Sequence, residues 1–441
     1  MLKRLSGVLA VLLLTSLAWA PSAQSYEPNE GALFNVPRPW GSAAEKERLV
    51  THVEKAIQET PGSTEGQPGG IILISTFLLD RDQSVDALIA ACRRGVSVRV
   101  ILDEDIDNRN SERIIKALNG DNPVRPDGSP RNPETGPCGR DLAAEPGVQA
   151  LTDSQARASL AAPTDDSVTW GVDRSYAKEC TGSCRGAGGN MHSKFYAFSQ
   201  TGTADNVVIV SSSNLNKGGM ALGWNDMYTM TGRPETFEEY RGIHREMTDD
   251  DRADDALREF QDGPFTHRFF PMRHASRSND PTLNDLNRIG CRSAFGRTEV
   301  HVSQFYWAKD RGIYLANKLL DLARAGCRVS IIHAAVGASV LSRLRDAARR
   351  HLISLYDSRW DFNHNGEKEI RAHTKYVLVK GQFGNDNAAH MVMTGTQNWV
   401  DGSLSRGDEN TLNIALSSAW HDYVQNWNDI RRHSRKFPNH S

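Results

Sequence analysis

The sequence predicts an α/β protein built as two pseudo-symmetric halves, each a mixed sheet flanked by helices. Three observations predict it. At 441 residues the chain is longer than one compact core usually supports. A strand-helix-strand pattern occurs twice, first around residue 90 and again around residue 320. A short reactive segment also occurs twice: Met191-His192-Ser193-Lys194 and Ala372-His373-Thr374-Lys375. The expected division is a leader over residues 1–25, a first half over 26–270 and a second over 271–441.

The elements follow from their patterns in chain order. Residues 43–59 have helical spacing. Ile71 to Leu79 is a continuous apolar run bounded by Gly69-Gly70 and Asp80, which suits a strand covered on both faces. Ser84 to Arg94 reads as a helix with a serine at its start, and Val96 to Leu102 as the next strand. Asn119 to Gly189 is rich in Pro, Gly and Asp with little periodicity, and is expected to cover the mouth of a site. Glu235 to Asp262 reads as helical, and the polar run His274 to Arg288 as the crossover between halves. The second unit comprises Val300 to Trp307 (strand), Gly312 to Ala325 (helix) and Arg328 to Ile332 (strand). A further helix is expected from Ser339 to His351. Residues 91–100 echo residues 323–332, so the repeat extends into the scaffold.

Composition narrows the function classes. Hydrophobic content of 39% with 24% charged residues is that of an ordinary globular protein. Fifty-two basic side chains nearly cancel 54 acidic ones, and a net charge of −2 offers no overall field to gather nucleic acid. Lys3 and Arg4, the apolar run Leu5 to Ala20 and the small residues that follow have the parts of a secretory signal. Cleavage after Ala20 or after Ser25 both fit. The run is short for a bilayer span, and no later stretch is long and apolar enough to cross a membrane. Export makes disulfides permissible for the six cysteines. Cys291 and Cys327, which bracket a strand-helix unit, are the favoured pair. Cys180 and Cys184 flank a Thr-Gly-Ser turn; Cys92 is either a buried thiol or the partner of Cys138. A zinc site lacks a second Cys-x2-Cys or a His pair.

The repeated segment carries the chemistry. With 13 lysines and 14 histidines, about 0.4 chance occurrences of His-x-Lys are expected; two are present, each followed by a strand ending in asparagine, Asn214 and Asn398. A carboxylate trails each one, Asp226 twelve residues after Asn214 and Glu409 eleven after Asn398. Residues two apart on a strand face the same way, so each histidine points with its lysine. A neutral imidazole can attack phosphorus, and an ammonium and an amide can hold the nonbridging oxygens as charge develops. Two such sets let one histidine attack while the other protonates the leaving oxygen. A carboxylate at one ring nitrogen fixes the tautomer that presents the other.

These doubled segments, their asparagine-bearing strands and the trailing acids resemble the phospholipase D superfamily over most of the chain after the leader. The resemblance implies two α/β halves with the active site at their interface, a phosphohistidine intermediate and no obligatory metal or other cofactor. It assigns His192 and His373 as motif histidines, Lys194 and Lys375 as phosphate-binding lysines, and Asn214 and Asn398 as the motif asparagines. By similarity to secreted bacterial members, His192 is the nucleophile and His373 the general acid, then base. The implied activity is hydrolysis of phospholipids at a membrane or micelle surface by a monomer, with transfer to another alcohol competing with water. An extracellular nuclease and a noncatalytic phosphate- or lipid-binding relative are the alternatives. The family's aspartate five residues after each lysine is replaced by Ser199 and Lys380, and the residues before the asparagines are Ser211-Ser212 and Gly395-Thr396. Ser199 can cap a turn, whereas Lys380 cannot imitate a carboxylate.

Other motifs are weaker. Asp361-Phe362-Asn363-His364-Asn365-Gly366 matches the start of a calcium loop, but the twelfth position is Ala372, so it reads as a polar turn. Trp224, Trp399, Phe305, Tyr306 and Trp307 are candidates for a pocket wall or for core. No Gly-x-Ser-x-Gly elbow, Walker loop or His-Glu-x-x-His occurs, which removes those hydrolase classes at the level of motif.

Overall fold

The computed structural model describes residues 26–64, 67–105, 108–119, 138, 175–254 and 256–438. The expected leader lies outside these residues, as does most of the stretch read as a cover. Two sheets organise the rest. The first has seven strands in the order Gly31–Phe34, Asp226–Met230, Ala204–Ser211, Phe195–Thr201, Ile71–Ser75, Ser97–Asp103, Tyr176–Cys180. The second has the corresponding order Asn410–Ile414, Asp386–Gly395, Lys375–Phe383, Glu299–Trp307, Arg328–Val336, Ser354–Asp357. In each sheet the last three of these strands are parallel and the rest antiparallel. Both halves are therefore mixed sheets of one topology.

Strand-helix-strand units set the parallel part, because parallel strands need a crossover long enough to hold a helix. Ile71–Ser75 is buried at every position, with Ile72, Leu73 and Ile74 fully covered. The helix Asp82–Arg93 follows, then Ser97–Asp103. Each such aliphatic side chain contributes about 1.5–3 kcal/mol on burial. The strand is shorter than its apolar run. After Ser75 the chain leaves the sheet to meet Asn214, through Thr76 Oγ1 at 3.3 Å and the Leu78 amide at 3.4 Å. Its second-half counterpart runs Glu299–Trp307, helix Lys309–Arg324, Arg328–Val336.

The two sheets share one core. Phe195, Val210 and Tyr228 from the first cluster with Tyr376, Leu378, Val392 and Leu412 from the second. Tyr240 from helix Pro234–Asp249 and Trp420 and Tyr423 from helix Ser417–Arg432 complete it. Two further cores lie beneath the remaining helices, one in each half.

Several boundaries differ from the sequence reading. The helix expected over Glu235–Asp262 stops at Asp249, and Arg258–Asp262 is a strand that pairs with Phe265–Phe269. Phe260 is the one apolar residue of that strand, set among Arg258, Glu259, Gln261 and Asp262, which is too little pattern to mark a strand. That hairpin joins the second sheet through Asn410–Ile414, so sheet membership changes before residue 258 and not at 270. The run His274–Arg288 holds the short helix Pro281–Asn287.

All three cysteine pairs are bridged: Cys291–Cys327, Cys92–Cys138 and Cys180–Cys184. Among the described residues no helix is long and apolar enough to cross a membrane. The turn at 361–366 is closed by its own side chains, Asp361 Oδ2 accepting from the Gly366 amide at 2.9 Å and Asn363 Oδ1 from Asn365 at 3.1 Å.

Candidate active site

Each histidine sits at the mouth of a strand and is held by the other half. Sheet pairing begins at Phe195 in the first half and at Lys375 in the second, so both imidazoles lie on the lead-in to the strand. The His192 amide donates to the Asp408 carbonyl at 2.9 Å, and Met191 bridges Asp408 in parallel. The His373 amide donates to the Trp224 carbonyl at 2.8 Å, where Arg371–Ala372 pairs with Gly223–Trp224. These crossed bridges fix both rings at the interface between the sheets.

The ring partners are crossed too. His192 Nδ1 lies 2.9 Å from Glu409 Oε2, a buried carboxylate. His373 Nδ1 lies 2.8 Å from Asn225 Oδ1. Asn225 Nδ2 donates to the carbonyls of Gly219 and Gly223, each at 3.1 Å, which turns its oxygen toward the ring. His373 therefore carries its proton on Nδ1 and presents Nε2. Asp226, expected from its spacing as a histidine partner, is one residue too far. Successive side chains of a strand face opposite ways, and Asp226 points between the sheets, accepting from Thr394 Oγ1 at 2.5 Å and Tyr423 OH at 3.0 Å. Its counterpart is Asn410, whose Oδ1 accepts from the Lys194 amide at 2.8 Å.

Both lysines are buried, and each ammonium donates to the carbonyl of its own histidine at 2.6 Å. Lys375 Nζ also lies 3.2 Å from His373 Nε2. Burial pushes Lys194 down to about 7, against the pull of Glu409 and Asp103. It pushes Lys375 well below the ordinary lysine range, with Lys194 adding to the effect. Burial also lowers His192, opposed by Glu409, and lowers His373 further, with Lys375, Lys194, His192 and Arg371 acting in the same direction. Cations concentrated this way make a receptor for an anion, whose arrival restores their charge.

The two asparagines are held in different ways. Asn214 uses its oxygen on Thr76 and Leu78, which leaves its amide nitrogen as the donor. Asn398 is held through its backbone, with Arg311 Nη1 donating to its carbonyl at 3.1 Å, while Arg311 is itself paired with Asp280 at 2.9 Å. Gly395, three residues before Asn398, has φ of +138°, and a Cβ there would sit 2.2 Å from the Asn410 carbonyl oxygen. Only glycine admits that approach.

Sequence reasoning missed three neighbours, Phe77, Asn225 and Arg371, and had Phe305 only as a candidate for a pocket wall or for core. Phe77 lies edge-on to His192 at 5.3 Å and Phe305 packs on His373 at 4.7 Å between ring centroids. They are repeat equivalents, each two residues after a buried serine, Ser75 or Ser303. Asn225 lies eleven residues after Asn214, the same spacing as Asn398 to Glu409, and that equality was the available signal. Arg371 is the third of those missed. Of the other aromatics, Trp224, Trp307 and Trp399 are core, and Tyr306 is exposed. Of the replaced motif aspartates, Ser199 Oγ accepts from the Ile71 amide at 2.8 Å. Lys380 instead lies over the rings of Phe295 and Trp420, at 5.0 and 5.2 Å.

A family model described as "Cardiolipin synthase, PLD-like domain" matches residues 68–247 and 293–430. Among curated proteins no sequence matches. Of solved structures, phosphatidylserine synthase of Haemophilus influenzae Rd KW20 is similar at TM-score 0.52 and 12% identity, over 92% of this chain and 87% of its own. Polyphosphate kinase of Porphyromonas gingivalis gives TM-score 0.50 at 10% identity over 91% of this chain, which spans 50% of the kinase. Nuc of Salmonella typhimurium, a phospholipase D family member, is 16% identical with TM-score 0.28, over 40% of this chain and 98% of Nuc. At these identities the first two likenesses speak to fold alone.

Proposed function

The chain belongs to the phospholipase D-like family, and from that premise we propose that it is a secreted phosphodiesterase that cleaves the distal phosphodiester of phospholipids through a phosphohistidine. The reading rests chiefly on the crossed pairing of His192 with Glu409 and His373 with Asn225 at one interface. Export follows from residues 1–25, with their basic start and apolar run.

The unlike partners divide the labour. When His192 Nε2 bonds to phosphorus, its ring becomes a cation with the proton still on Nδ1, and Glu409 stabilises that cation. His373 is held by a neutral amide, so it releases a proton more readily, and the leaving oxygen takes it as the P–O bond breaks. Lys194, Lys375 and the amides of Asn214 and Asn398 hold the nonbridging oxygens. In the second step His373 takes a proton from water, whose oxygen attacks phosphorus while the N–P bond breaks. An alcohol in place of water gives transfer.

Mass spectrometry of products from mixed phospholipid vesicles tests the reading. Phosphatidic acid and a free head group are expected, with a phosphoryl group trapped on His192 at short times. Vesicles returned unchanged, or cleavage of plasmid or single-stranded DNA alone, would reject the lipid substrate.

A further inference from the structure

The His373 side of the cleft holds a cation that the repeat does not require. Aligning the two motifs on their histidines sets Arg371 against Asn190, each two residues earlier. Asn190 is a neutral amide that donates to Asp105 Oδ2 at 3.0 Å, and Asp103 lies beside it, accepting from the Met191 amide at 2.6 Å. Two acids, Asp105 and Asp103, therefore stand at that position of the first half. The second half has a cation at the equivalent position. Arg371 is half-buried on the lead-in to His373, and residues two apart on an extended chain face the same way. Its guanidinium carbon lies 5.5 Å from the Phe305 ring centroid, the ring that packs on His373 and also faces Lys375 Nζ at 5.2 Å.

Among the described residues Arg371 has no carboxylate partner. Nη1 donates to the Glu369 carbonyl at 2.9 Å, which leaves most of its five N–H groups for other acceptors. Other arginines of the second half are paired, Arg359 with Asp357 at 2.8 Å and Arg311 with Asp280 at 2.9 Å. Partly burying a guanidinium without a counter-charge is unfavourable. The cost is offset if an anion arrives with the substrate, and a planar fork beside an aromatic wall suits a carboxylate or phosphate.

We infer that Arg371 is a specificity-determining residue that receives an anionic group on the alcohol leaving group of the diester. This rests on the reading above in which His373 protonates that alcohol, because Arg371 shares the wall of His373 and not that of His192. The favoured head groups carry a carboxylate or a second phosphate close to the scissile bond; a head group bearing only an amine lacks the contact.

Calorimetric titration of the full chain with soluble deacylated diesters tests the inference apart from turnover. sn-Glycero-3-phospho-L-serine carries a carboxylate, bis(glycerophospho)glycerol a second phosphate, and sn-glycero-3-phosphoethanolamine neither. Wild type is expected to bind at least one anionic diester about tenfold more tightly than the ethanolamine ester, the scale of one charge-assisted hydrogen bond. Which of the two is preferred identifies the anion. Arg371→Gln should bring the ratio to about one, and Arg371→Lys, which keeps the charge, should retain part of it. No preference in wild type, including no measurable binding, or a preference that survives Arg371→Gln, overturns the inference. Formation of phosphatidic acid is read separately. Intact preference without product rejects the hydrolase reading alone, and product without preference rejects the role of Arg371 alone.

Discussion

His373 meets Asn225 at 2.8 Å through the same ring nitrogen by which His192 meets Glu409 at 2.9 Å. An amide and a carboxylate occupy equivalent places of the repeat. The amide holds the proton of Nδ1 without opposing the loss of the other. In Asn225→Asp the hydrogen bond persists and a negative charge is added, so His373 should keep its acidic proton to higher pH. The alkaline limb of the kcat profile set by His373 is expected to rise by about one pH unit. An unshifted limb with activity intact would show that His373 does not act as the acid.

Glu409→Gln makes the opposite exchange. In the proposed mechanism the His192 cation formed on phosphorylation loses its stabilisation without the carboxylate, and kcat should fall by about 10²- to 10³-fold. Removing a negative charge also lowers the proton affinity of His192. The acid limb of kcat/KM should therefore move to lower pH, a change that misfolding does not produce. Steady-state kinetics across pH on a soluble diester checks both.

The contrast between these residues shows what the sequence makes legible. Histidine, lysine and asparagine could be read because one residue type recurs in both halves at matched spacing. The partner of His373 could not be read by type, because the first half places an amide where the second has an acid. Asp226 lies next to it and drew the assignment, although alternation along Asp226–Met230 turns it into the core toward Tyr423. The parallel strands were legible from apolar runs covered on both faces. The hairpin Arg258–Phe269 was not, since it is a sheet edge with exposed charges and only its partner strand Asn410–Ile414, far along the chain, makes it a strand. Arg371 likewise acquires meaning only from Phe305 and the ring of His373.

The Cys291–Cys327 bridge closes a segment of 36 residues that contains the strand Glu299–Trp307 and its helix. Chain-entropy reasoning assigns such a loop about 4 kcal/mol through the unfolded state. Cys291→Ser paired with Cys327→Ser is expected to lower the thermal midpoint by several degrees. Unchanged melting in the absence of reductant would show that residual structure already restricts this segment when unfolded.

Lys194 provides the last and most direct test of the site as an anion receptor. Its ammonium is held down to about 7 by burial, with Glu409 and Asp103 pulling the other way. As pH rises through 7 in the free protein, the ammonium loses its proton and with it the charge that attracts phosphate. The value of kcat/KM, which reports the free protein, should fall about tenfold per unit above that point. Once a phosphodiester is bound, its negative charge favours the ammonium, so the corresponding limb of kcat should lie at higher pH. Lys194→Arg removes a titrating group from this range, and whatever activity it retains should show no kcat/KM limb near 7. A wild-type kcat/KM that stays level to pH 9, or a limb that persists in Lys194→Arg, would mean that another group governs binding of the anion.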